Sequence, residues 1–251
     1  MRTHERVLAQ IEADLAAGKW ALGERLPAER ALAEQLGVSR PSVREAIRIL
    51  EAMGIVKTAV GSGPSAGATV IDRPAAGLGA AVRLHLASGT LPVSDVVQTR
   101  TVLEAWAVGR AAARAGRAGG EGGADDGARA LLTEAESLLA RMSDPDLDSR
   151  EFIRLDQDFH VTLTRLAGNQ LVEAIMLGLR AAVGSYVAAG AERLPDWVST
   201  RARLCVEHRG VLDAVSRGDA PVAERLVRAH IEGFYSEAGL AQTPSDEAAT
   251  A

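Results

Sequence analysis

The segment LPAERALAEQLGVSRPSVREAIRILEAMGIV, residues 26–56, constrains the chain more than any other. Two short helical patterns stand here three residues apart. Pro27 suits the start of the first, Ala28–Leu36, and Gly37 ends it where a left-handed residue is wanted. Ser39 is placed to cap the second, which runs to about Met53 and tolerates Pro41 in its first turn. Ala31, Leu32 and Leu36 can pack against Val43, Ile47 and Leu50, which fixes one apolar seam between the two helices. A helix over Glu5–Ala17, with Val7, Leu8, Ile11 and Leu15 at helical spacing, precedes them across the extended stretch LGERLP. The β-prone runs IVKTAV and ATVI follow, either side of GSGPSAG, as a hairpin. Helix, helix, tight turn, helix, hairpin is the order of a winged helix-turn-helix.

Beyond residue 73 the pattern is helical throughout. Segments near 77–88, 93–115, 127–142, 148–167, 169–189, 196–217 and 219–238 are separated by Gly, Pro and Asp. The expected fold is therefore mainly α, a winged helix-turn-helix followed by an all-helical bundle of six to seven helices. The expected divisions are residues 1–73, a linker at 74–77, a helical domain at 78–240 and a disordered tail at 241–251. The glycine-rich stretch 116–127 reads as a loop. Aromatic residues make up only 3% of the chain, so the core must be built from small and aliphatic side chains. No run of about 18 apolar residues stands out as a membrane span, and the single cysteine, Cys205, forms no internal disulfide. A cytoplasmic location without membrane association is expected, with Cys205 a buried thiol.

The net charge is −5, yet residues 1–73 carry 10 Lys and Arg against 9 Asp and Glu. A nearly neutral domain can bind nucleic acid if its cations share a face. Arg40, Ser42 and Arg44 lie at the exposed start of the third helix, where a recognition helix presents side chains to the major groove. Arginine can fork onto guanine, while serine and backbone N–H groups suit phosphate. Arg30 can reach the backbone or an adjacent base, and Gly61 in the hairpin allows close approach to a groove.

Three of the five histidines have an informative spacing. Asp156 and His160 are four residues apart on one helix face. His208 and His230 each lie about ten residues, or roughly 15 Å of helix, from the turn at Gly218-Asp219. An antiparallel pair of helices brings them level. Three imidazoles and a carboxylate make a mixed site suited to a divalent transition metal, Zn, Ni or Mn. His4 and His85 have no companions, and Cys205 is not counted among the ligands.

Together the motifs LP-x-E-R, LGVSR and VREA resemble the DNA-binding domain of the GntR superfamily. The resemblance implies operator contacts at Arg30, Ser39, Arg40, Arg44 and Gly61. Pro41 departs from relatives that carry a hydroxyl there. The later pieces, R-x-x-L-E at Arg100–Glu104, D-x-x-F-H at Asp156–His160, GN at Gly168-Asn169 and EH…GD…H to His230, resemble the FCD domain of the FadR branch. That likeness implies metal ligands at Asp156, His160, His208 and His230, and an organic-acid effector held by Arg100 with Asn169 near the same pocket. The expected protein is then a homodimeric regulator, a repressor in most relatives, that reads an inverted repeat of double-stranded DNA under control of a small carboxylate. A metal-responsive regulator and, further off, a metal-dependent enzyme are the competing readings; catalytic residues are not expected.

Overall fold

The computed structural model describes residues 2–59, 67–118 and 126–240, in two compact units, Met1–Leu78 and Gly79–Ala251. Gly61, most of the glycine-rich loop and the tail at 241–251 lie outside the described residues.

In the first unit, α1 (Thr3–Ala16), α2 (Glu29–Leu36) and α3 (Arg40–Ala52) precede the antiparallel strands β1 (Val56–Ala59) and β2 (Gly67–Val70). The turn forms for the reasons its residues suggest. Gly37 has φ +62° at the end of α2, and Ser39 Oγ accepts the backbone N–H of Ser42 at 3.3 Å. One core joins the elements: Val7 and Ile11 of α1, Leu32 of α2, Val43, Ile47 and Leu50 of α3, and Val56 and Val70 of the hairpin are buried. The extended stretch before α2 becomes a third edge of the sheet. The backbone N–H groups of Gly23 and Leu26 donate to Val70 and Ala68, and that of Val70 donates back to Glu24.

The expected linker, residues 74–77, is instead helical. It forms the first turn of α4 (Pro74–Ala87), because Pro74 carries no N–H to leave unpaired at a helix start.

The second unit consists of helices. After α4 come α5 (Val93–Ala118), α6 (Asp126–Met142), α7 (Ser149–Leu166), α8 (Gln170–Glu192), α9 (Trp197–Ser216) and α10 (Ala220–Glu237). Helix α5 runs along α10, α6 along α7, and α9 along α10. α5 extends three residues beyond the expected end at 115, and α8 three beyond 189. Starts are set by one repeated device: Asp148, Asn169, Asp196 and Asp219 each cap the next helix with a side-chain oxygen. Gly168 and Gly218, both left-handed, close α7 and α9 directly before two of those caps. Alanines of α5 that are wholly buried, Ala105, Ala111 and Ala112, allow close helix packing around Phe152, Leu155, Phe159 and Leu212. α8 is long and apolar enough to cross a membrane by length and composition alone. Its buried side packs into the bundle and includes Arg180.

Candidate DNA-reading face and buried histidine centre

The start of α2, one face along α3 and the two wing strands line a surface groove. Arg30, Arg40, Arg44 and Arg48 border it, with Glu29 and Glu51. All four arginines are exposed. Arg40 is the first residue of α3, and Ser42 is half-buried beside the cap Ser39, its hydroxyl 2.9 Å from that of Ser39. Arg30 pairs with Glu34 at 3.1 Å. Arg44 is clamped: its Nη2 and Nε donate to Glu29 at 2.8 and 3.1 Å. The hydrogen bond from Arg44 holds the Glu29 carboxyl below its ordinary range. Arg48 was not among the expected contacts. Arg40, Arg44 and Arg48 recur every fourth residue, a spacing that places all three on one helix face.

In the second unit the four expected ligands converge. One ligand atom from each of Asp156, His160, His208 and His230 lies within 4.8 Å of all the others. His160 Nε2 is 3.2 Å from His230 Nε2 and 3.3 Å from His208 Nε2. His208 Nε2 is 3.0 Å from Asp156 Oδ1. The opposite nitrogens explain the orientation. His160 Nδ1 is 2.7 Å from Glu104 Oε2, and His230 Nδ1 is 2.8 Å from Glu207 Oε2. A neutral imidazole that donates Nδ1–H to a carboxylate presents a lone pair at Nε2. His160 and His230 therefore point lone pairs at each other, an arrangement that a cation resolves. Donors sharing one ion at about 2.1 Å stand roughly 3.0–3.4 Å apart, which matches the three pairs above; His160 Nε2 and Asp156 Oδ1 stand slightly wider, at 3.6 Å. His208 differs, since its buried Nδ1 has no partner among the described residues. Burial and the neighbouring His230 push His208 down to about 4, so it is neutral at pH 7 and able to ligate. These residues fit a bound divalent metal.

Beneath the histidines lies a network that the sequence did not disclose. Glu104 is 2% exposed and meets three cationic or polar partners at once. Arg100 donates to it through Nη2 and Nε at 2.7 and 3.1 Å, Arg180 Nη2 approaches at 3.2 Å, and His160 closes the third side. Burial alone would raise the Glu104 carboxyl, but Arg180 and Arg100 outweigh it and hold it well below its usual range. Each nitrogen of Arg100 thus has a partner, with Nη1 donating to the Tyr235 hydroxyl. Arg180, on α8, carries no motif signal. Its position ten residues into an otherwise apolar helix was the available clue.

A narrow cavity of about 30 Å3 opens above this floor. Arg100, Asp156, His160, Arg180 and His230 line it together with Phe152, Val183, Trp197, Phe234 and Tyr235. Asn169 does not line it. Its Oδ1 accepts the N–H groups of Leu171 and Val172 at 3.1 Å, and it borders a separate hollow with Trp106 and Arg110. The GN pair is a helix-joining device here, which corrects the expectation for Asn169. Cys205 is half-buried, with Sγ donating to the Met142 carbonyl at 3.6 Å, and stands outside the ligand group. His85 bonds the Thr90 hydroxyl, away from the cluster.

Residues 3–64 match the bacterial regulatory proteins of the gntR family, and residues 95–233 match the FCD domain. The chain is 33% identical over 229 residues to the HTH-type transcriptional regulator Mce2R of Mycobacterium tuberculosis, covering 91% of this chain and 88% of that protein. It is 28% identical over 233 residues to the HTH-type transcriptional repressor NanR of Citrobacter rodentium, covering 90% and 82%. A solved structure, Streptococcus agalactiae GntR, shares the fold with a TM-score of 0.62 at 20% identity, covering 93% of this chain and 99% of that one. With its DNA-reading head at the N-terminus and an FCD domain behind it, the chain belongs to the gntR family of DNA-binding transcriptional regulators.

Proposed function

We propose that this regulator is a repressor whose operator affinity is set by a small organic acid bound above a divalent metal. Arg30, Ser39, Arg40, Ser42 and Arg44 contact a half-site, and a homodimer matches an inverted repeat by its two-fold symmetry. Asp156, His160, His208 and His230 would hold the metal, which supplies an electrophilic centre for an acid's oxygen. Glu104 and Glu207 hold His160 and His230 in the tautomer that ligates. Arg100 braces Glu104, and Phe152, Val183 and Phe234 keep the cavity dry.

The observation that carries this reading is the meeting of three imidazole Nε2 atoms and one carboxylate oxygen beside a cavity that Asp156, His160 and His230 line, in a DNA-binding regulator. Effector control then requires only that the acid bind one arrangement of the protein better than the other. The test is a fluorescence-anisotropy titration with upstream DNA at stated salt, beside elemental analysis of the purified chain. One metal per chain and operator binding tighter than to random DNA are expected, with Arg40→Ala erasing the difference. Equal affinity for both DNAs, or no metal after purification without chelators, contradicts the reading. A change in operator affinity on chelation alone would make the ion itself the signal.

A further inference from the structure

The chemistry of the effector follows from which donors around the cavity lack partners, an inference that rests on the effector-binding reading above. Arg100 and Arg180 both line the cavity and both touch Glu104, but they differ in what remains free. Every nitrogen of Arg100 has a partner: Nε and Nη2 in Glu104, Nη1 in Tyr235. Arg180 uses only Nη2, at 3.2 and 3.3 Å from the two Glu104 oxygens. Its Nε and Nη1 are buried and have no partner among the described residues, although the side chain is only 4% exposed. A buried, unpaired donor is costly, and more so when charged, so two on one guanidinium mark a place where a ligand is expected to supply acceptors.

Charge points the same way. Two guanidinium groups share the one carboxylate of Glu104, while Asp156, a half-buried acid, is turned to the histidines. Burial pulls the Arg180 guanidinium below its ordinary value, and Glu104 only partly restores it. The Trp197 indole N–H is a further buried donor without a partner, on a side chain that lines the same cavity and meets Phe152 edge-on at 5.4 Å. Between these donors the wall is mostly apolar, Phe152, Val183, Val187 and Phe234, with Gln157 beside them.

We propose that Arg180, rather than Arg100, anchors the effector's carboxylate, and that the effector is a small acid with an apolar body. Arg100 is a positioning residue that holds Glu104. An acid carrying a second acceptor would also engage Trp197.

The probe is butyrate, with butyramide as its neutral counterpart, titrated into the full zinc-loaded chain. The readout is the 15N side-chain Nε–H signals of Arg180 and Arg100. Butyrate is expected to move the Arg180 signal with a dissociation constant in the millimolar range, and butyramide is not, because the paired charges supply the binding. Arg180→Gln should weaken butyrate binding about tenfold or more, the loss of a charge-assisted pair. Arg180→Lys keeps the charge against Glu104 and serves as the folded variant; it should bind measurably more weakly than the parent. An Arg180 signal that does not move with butyrate up to about 100 mM, a concentration reaching even weak sites, overturns the proposal. So does amide binding equal to the acid, or parent-like affinity in Arg180→Lys. Zinc content and operator affinity measured in parallel separate the two readings. Butyrate binding through Arg180 without metal or without effect on DNA refutes the regulatory reading alone. Acid-responsive DNA binding that survives loss of Arg180 refutes this one alone.

Discussion

Glu104 is the residue on which the buried centre depends. One carboxylate serves Arg100, Arg180 and His160, so its removal strands three partners at once. Glu104→Gln keeps the shape and loses the charge. Breaking a buried ion pair from one side costs about 3–5 kcal/mol, and urea denaturation should show a loss of that size. Metal affinity should fall about 10–100-fold as well, because His160 loses the partner that fixes its tautomer. A variant as stable as the parent would mean the network contributes little. The four ligands were legible in the sequence, since i,i+4 spacing and equal distance from a turn are periodic facts. Glu104 and Arg180 were not, because a charge acquires its role from partners 56 and 76 residues away, and no local pattern reports those. Asn169 failed in the opposite direction: a polar residue after glycine at a helix junction has a local use, and that use prevailed.

Among the elements, helix positions followed from glycines and caps, and most ends fell within a residue or two of expectation. Where they differed, packing decided: α5 and α8 continue through Gly116 and Gly190, which lie close against Gly218 and against Ala238 and Leu240. Two glycines make a paired test of that packing. A Cβ on Gly79 of α4 would stand 2.9 Å from the Gly178 carbonyl of α8, whereas one on Gly233 of α10 would meet open space. Alanine favours helix over glycine by about 1 kcal/mol, so Gly233→Ala should stabilise by that order. Gly79→Ala gains the same propensity and must push two backbones apart, with a net loss of about 1–3 kcal/mol expected. Thermal melts of both variants decide it; stabilisation by both would show that α4 and α8 yield freely. At the head of α3, Ser39→Ala removes the cap and should cost about 1 kcal/mol.

The whole molecule consists of two units, each with its own core. The histidine centre belongs to the second unit alone. Calorimetry should resolve two transitions, and chelation should lower only the one that carries the helical bundle. At a free metal concentration 100 times its dissociation constant, the stabilisation lost is about 2.7 kcal/mol. A shift in both transitions would mean that the two units unfold as one. Composition and net charge gave no hint of this division of labour; the helix-turn-helix and hairpin order before residue 73 and the purely helical pattern after it did.

The clamp between Glu29 and Arg44 makes the reading head its own competitor. A carboxylate occupies the guanidinium as a phosphate would, so on the proposed docking a DNA contact by Arg44 begins as a displacement. Random sequence offers only another anion in exchange and gains little, while a site that presents a guanine to Arg44 returns the cost of release. That docking predicts weak attachment and short dwell on the wrong sites. Glu29→Gln should remove that restraint: affinity for random DNA rises more than affinity for the operator, and discrimination narrows. Equal gains on both DNAs would show that the clamp restrains binding without sharpening discrimination, and no gain on either would show it to be inert.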